Sequence, residues 1–108
     1  LHILIMLRGK NIENTSGKKL LLDADWDKLF HLSNAIHGDF ITRIKNDFPT
    51  LTKHDIEICC LLRFGIEHEV LGSIFLTETD SVTKAKRRMK KRLNLSASDD
   101  LDVFLLKY

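Results

Sequence analysis

Cysteine is nearly missing from this sequence, and the two present, Cys59 and Cys60, are neighbours. Neighbouring cysteines make neither a CxxC redox or metal pattern nor a disulfide framework. They read as small core residues of a reducing compartment. Metal-binding pairs are missing too. The histidines His2, His31, His37, His54 and His68 form no HxxxH or HExxH pair, so no metal site is expected. There is no Gly-rich phosphate loop. Asp23, Asp25 and Asp27 alternate without the glycine and distal glutamate of a calcium loop. Ser33 and His37 stand one helical turn apart with no third partner in evidence for nucleophilic catalysis. Neither an enzyme nor a cofactor is expected. No apolar run reaches bilayer length; residues 1–7 are apolar apart from His2, and so short a run cannot cross. No secretory signal, internal repeat or low-complexity tract is evident. The chain opens on Leu1 rather than Met, so a piece of something longer is expected.

What remains is one small domain of 108 residues, 44% hydrophobic and 30% charged, the balance of a globular chain with a single core. Its net charge of +2 conceals a segregation. Residues 84–92 hold seven of the 17 basic side chains, and the rest of the chain sets ten basic against 15 acidic residues. A basic strip on an acidic body is a directed electrostatic footprint. A run of like charge is also what an ordinary solvated helix face looks like, and charge alone does not separate the two readings.

The apolar pattern is helical from Asp25 onward, which makes the fold class all-α, a helical bundle. Asp25 is placed to cap a helix bearing Trp26, Leu29, Phe30, Ser33 and Ile36. Gly38 interrupts, and Asp39 is placed to start a second helix with Phe40, Ile41, Ile44 and Phe48, stopped by Pro49, the one proline. Thr52-Lys53-His54-Asp55 has the form of a capping box with Asp in place of Glu. The helix it opens carries Ile56, Cys59, Cys60 and Leu62, and ends at Gly65. A short helix over about 67–75 buries Val70, Leu71, Ile74 and Phe75. The polar turn Thr77-Glu78-Thr79-Asp80 leads into a helix over about 80–92. Ser96-Ala97-Ser98-Asp99 reads as another capping box, opening a last helix over 97–107 with Leu101, Phe104, Leu105 and Tyr108 on one side. Residues 1–24 form a separate N-terminal segment, for which a hairpin and a helix-loop both fit. Residues 25–108 form the helical domain.

Helix, short helix, polar turn and basic helix over 51–95 are the layout of a helix-turn-helix. With Val82 at zero on a wheel of 100° per residue, Ala85, Met89 and Leu93 fall within about 60° and form the packed side. Asp80, Thr83, Lys84, Arg87, Arg88 and Lys91 fall between about 100° and 240°. The major groove admits a helix whose early turns reach base edges. Thr83, Lys84 and Arg87 are therefore the expected base contacts. Arg88 and Lys91, further along, are expected on phosphates, together with the hydroxyls of Thr77, Thr79 and Ser81. His68 is a further phosphate candidate if protonated, although an exposed polar residue is the simpler reading.

The ordered residues Leu51-Thr52, Asp55, Glu57-Ile58, Leu61-Leu62 and Gly65-Ile66 resemble the opening of the LuxR-type (GerE-like) DNA-binding domain. Val70-Leu71-Gly72, Ser81-Val82 and Lys91-Arg92-Leu93-Asn94-Leu95 continue that resemblance without a gap, over about 45 of the 108 residues. The resemblance implies a transcriptional regulator that binds double-stranded DNA sequence-specifically, with Thr83, Lys84 and Arg87 in the base-reading positions. The setting of Trp26, Phe30, Phe40 and Phe48-Pro49 resembles the C-terminal output region of large bacterial signalling proteins. That implies a domain tethered to an upstream sensor and located in the cytoplasm, or at the cytoplasmic end of a membrane-linked sensor. Helices after the recognition helix commonly support dimers in this family, which makes 97–107 a candidate homodimer surface. The chain departs from the family at Glu78-Thr79-Asp80 and Glu67-His68-Glu69, where it is acidic. Those carboxylates favour helix dipoles and oppose phosphate. The alternative function is a protein-interaction or dimerisation module on the same scaffold.

Overall fold

A computed structural model describes residues 21–108. The described residues form six α-helices and no strand: α1 (Asp23–Ile36), α2 (Phe40–Asp47), α3 (Lys53–Arg63), α4 (His68–Ile74), α5 (Thr79–Arg92) and α6 (Leu101–Lys107). Of the N-terminal segment 1–24, residues 1–20 lie outside the described ones, and Asp23 and Ala24 already belong to α1. Leu21 is buried in the core, while Leu22 beside it is exposed.

The centre of the bundle is α3, which buries Asp55, Ile56 and every residue from Ile58 to Leu62. A helix apolar on nearly all sides must be surrounded. It is: α1, α2 and α6 all pack on it, and α4 pairs with α5 beside them. Each outer helix contributes one stripe. Trp26 and Leu29 come from α1, Phe40, Ile41 and Ile44 from α2, Val82, Ala85 and Met89 from α5, and Leu101 and Leu105 from α6. Full burial of such side chains stabilises by roughly 1.5–3 kcal/mol each. Trp26 lies flat on Phe75, centroids 5.8 Å apart and planes 7° from parallel, so α1 covers the end of α4.

Four of the six helix ends follow one rule. At Gly38, Gly65, Leu76 and Asn94 the chain turns left-handed. At each, the next N–H returns to a carbonyl five residues back: Asp39 to Asn34, Ile66 to Leu61, Thr77 to Gly72 and Leu95 to Lys90. This closure satisfies carbonyls the helix leaves open.

Two expected starts are corrected, and the start at Asp39 is capped by another side chain. Asp25 is not the first cap. It sits inside α1, and its carboxylate accepts from the Leu22 N–H at 2.9 Å. Asp39 makes no side-chain cap. The Asn34 carbonyl instead accepts from the N–H groups of Ile41 (2.9 Å) and Thr42 (3.2 Å). The last helix begins at Leu101, not at 97, and Asp100 caps it through the Val103 N–H. The box at Thr52 and Asp55 is present with both hydrogen bonds, 2.9 and 3.1 Å.

The apolar side of α6 is also reassigned. Leu101 and Leu105 are buried, and Phe104 and Tyr108 pack on Phe48. The stripe expected as a dimer surface therefore closes the core. Arg43 fastens this end of the bundle. Its guanidinium donates to the carbonyls of Gly38 and His37 and to the Tyr108 main-chain oxygen. The Tyr108 hydroxyl donates to the Asp47 carboxylate.

Candidate nucleic-acid interface

Two packed helices and the turn between them present α5. Thr77 N–H bonds to the Gly72 carbonyl at 2.9 Å. A Cβ on Gly72 would stand 2.8 Å from the Thr77 carbonyl oxygen, so only glycine lets the turn fold back this closely on α4. Val82, Ala85 and Met89 then hold α5 against the core.

The opposite side of α5 is a stripe of Asp80, Lys84, Arg87 and Lys91, all exposed, at spacings of four, three and four residues. Such a row stacks one side chain above the next on a single helical face. Lys84 Nζ lies 3.4 Å from Asp80 Oδ2. Among the described residues Arg87, Arg88 and Lys91 form no ion pair and project into solvent.

The flanks differ. On one side Thr77, Ser81 and Arg88 line a groove together with His54 of α3. This gathers three of the expected phosphate contacts around one depression. Thr79 falls on the other flank. Its carbonyl accepts from the Thr83 hydroxyl at 3.2 Å, and that hydroxyl lies 3.3 Å from His68 Nε2. Thr83 is thus exposed but already engaged within the protein, and of the three expected base contacts it is the least free to reach out. On that same flank, residues 95–102 face the helix and bring Asp99, Asp100 and Asp102 opposite Lys86, Arg87 and Lys90.

Three of the seven cations are spent inside the fold. Lys86 Nζ pairs with Asp102 at 3.1 Å. Lys90 Nζ donates to the Ala97 carbonyl at 3.2 Å. Arg92 Nη1 donates to the buried Asp55 carboxylate at 2.7 Å. The carboxylates that meet Lys86 and Arg92 lie 16 and 37 residues away, and no local spacing announces them. The cationic face is accordingly narrower than the run of charge, and it is formed by Lys84, Arg87, Arg88 and Lys91.

Elsewhere Cys59, Cys60 and Ser33 are locked in the core. Burial first, and then the carboxylates of Asp55 for Cys59 and Glu57 for Cys60, push both thiols up to about 12. At neutral pH neither is a thiolate, the form that attacks or binds metal. Ser33 Oγ lies 2.7 Å from His37 Nδ1, but Ser33 is wholly buried, where no substrate reaches it. Among the described residues no group of three or more His, Cys, Asp or Glu side chains is placed to hold a metal ion, and no helix is long and apolar enough to cross a membrane.

No family model, curated protein or solved structure matches the chain.

Proposed function

We propose that the chain is a DNA-binding domain of a transcriptional regulator, a LuxR-type helix-turn-helix that inserts α5 into the major groove of double-stranded DNA. The observation that carries the reading is the two-sidedness of α5. Val82, Ala85 and Met89 are buried, and Lys84, Arg87 and Lys91 stand in a row on the opposite side. A helix held this way fits a groove about 12 Å wide, with its early turns at base edges. In this reading Lys84 and Arg87 read bases with Thr83 beside them, and Lys91 and Arg88 hold phosphates with Thr77 and Ser81. The bacterial and cytoplasmic setting and the tether to a sensor belong to the same proposal and rest on the sequence resemblance.

Selection of bound sites from random duplex DNA, at two salt concentrations, tests it. One enriched motif is expected, with affinity falling steeply as salt rises, by about 0.9 in log–log slope for each phosphate neutralised. Failure to enrich any motif at either salt overturns the reading.

A second reading has one observation of its own. Val103 and Leu106 of α6 are exposed one turn apart, 43% and 47%. These, rather than the buried stripe, would be the contact of a homodimer or a partner protein. Light scattering at high concentration tests self-association, and a monomer overturns the homodimer.

A further inference from the structure

Asp80 stands in the first turn of α5, in the same row as Lys84, Arg87 and Lys91. Its carboxylate is 3.4 Å from Lys84 Nζ, and the two side chains are 74% and 62% exposed. A carboxylate in this place opposes the phosphate walls of a duplex, where every group accepts. The floor of the major groove is different. Cytosine N4 and adenine N6 donate there, while guanine N7 and O6, adenine N7 and thymine O4 accept. An ionised carboxylate only accepts and an ammonium only donates. Asp80 is therefore satisfied beside an exocyclic amino group and repelled by a guanine or thymine edge.

The two side chains present an acceptor and a donor next to each other. A C·G pair offers the complement: the cytosine amino group beside guanine O6 and N7. An A·T pair also offers one amino group, but its acceptors, adenine N7 and thymine O4, lie on opposite sides of that group, so an ammonium beside the carboxylate meets only one of them. Resting on the duplex-DNA reading above, we infer that Asp80 and Lys84 together select one C·G base pair, cytosine to Asp80 and guanine to Lys84. The acidic departure at the start of the basic helix is then a specificity device, which rejects other pairs at that position.

The test is site selection with the wild-type chain, Asp80→Asn and Asp80→Ala, with circular dichroism confirming that each variant keeps its helices. The wild type is expected to enrich a motif with a C·G position. An Asn amide pairs with adenine N6 and N7. Asp80→Asn is therefore expected to shift that position toward adenine, and to bind the original site about tenfold more weakly. Asp80→Ala is expected to weaken preference at that position alone, to what Lys84 keeps for guanine. A wild-type motif that both variants retain, with affinity changed equally for all sites, overturns this inference and leaves the DNA reading standing. No motif with the wild-type chain overturns both.

Discussion

Arg92 and Asp55 are 37 residues apart in sequence, and Arg92 Nη1 lies 2.7 Å from Asp55 Oδ2. The same Asp55 oxygen accepts from the Thr52 N–H at 2.9 Å. One buried carboxylate thus caps the start of α3 and anchors the end of α5. Arg92→Ala leaves that carboxylate inside the core with its charge less well met. The expected loss of stability is about 2–3 kcal/mol, read from urea unfolding midpoints. Arg88→Ala, which removes an equal charge from the exposed side, is expected within about 0.5 kcal/mol of wild type. Equal effects would show that the pair contributes nothing particular.

The turn before α5 gives two substitutions of opposite sign. Gly72→Ala places a methyl group 2.8 Å from the Thr77 carbonyl oxygen, and the backbone must shift. A loss of about 1–3 kcal/mol is expected. Leu76 holds a left-handed backbone, φ 54°, without being glycine, and its side chain is 42% exposed. Leu76→Gly removes that strain at little packing cost, and a gain of about 0.5–1 kcal/mol is expected, net of the freer unfolded chain. Thermal melts of both variants check the pair of signs.

His37 makes stability depend on pH. Burial first, and then the Arg63 charge, hold its pKa below the ordinary 6.5. The folded state resists a proton that the unfolded chain accepts. Its contribution is complete above pH 6.5, falls as pH drops below that value, and stops changing once the lowered folded pKa has been passed. His37→Gln is expected to unfold at denaturant concentrations less sensitive to pH between 7.5 and 5.5. An unchanged pH dependence would place the titration elsewhere.

On the proposed interface, truncations are expected to divide by role. Lys84→Ala and Arg87→Ala should change which sites are preferred, each at about 1–3 kcal/mol on the preferred site. Arg88→Ala and Lys91→Ala should weaken all sequences alike and lower the salt slope by about 0.9 each. Uniform weakening by all four variants would mean that α5 reads no bases.

Local patterns in the sequence were legible where their cause was local. The capping box of Thr52 and Asp55 spans three residues and forms as its spacing predicts. The thread of Val82, Ala85 and Met89 is buried because its period is the helix's own. Asp39 looked equally able to cap, but Asn34 reaches over from the preceding helix and takes those N–H groups. Ser96 and Asp99 do bond, the Ser96 N–H to the Asp99 carboxylate at 2.7 Å, yet they close an isolated turn. The Lys90 ammonium occupies the Ala97 carbonyl there, one that a helix starting at 97 would have used. The left-handed ends at Leu76 and Asn94 carry no glycine to announce them. The role of Arg92 depends on a carboxylate in another helix, so no window along the chain contains both halves of the signal.

The stacking of Trp26 on Phe75 has a practical use. Trp26 is the chain's one tryptophan, and Phe75 caps the C-terminal end of α4, just before the turn into α5. The indole is therefore a built-in fluorophore beside the hinge of the two helices. A change in its emission colour or quenching reports movement of that turn without any added label.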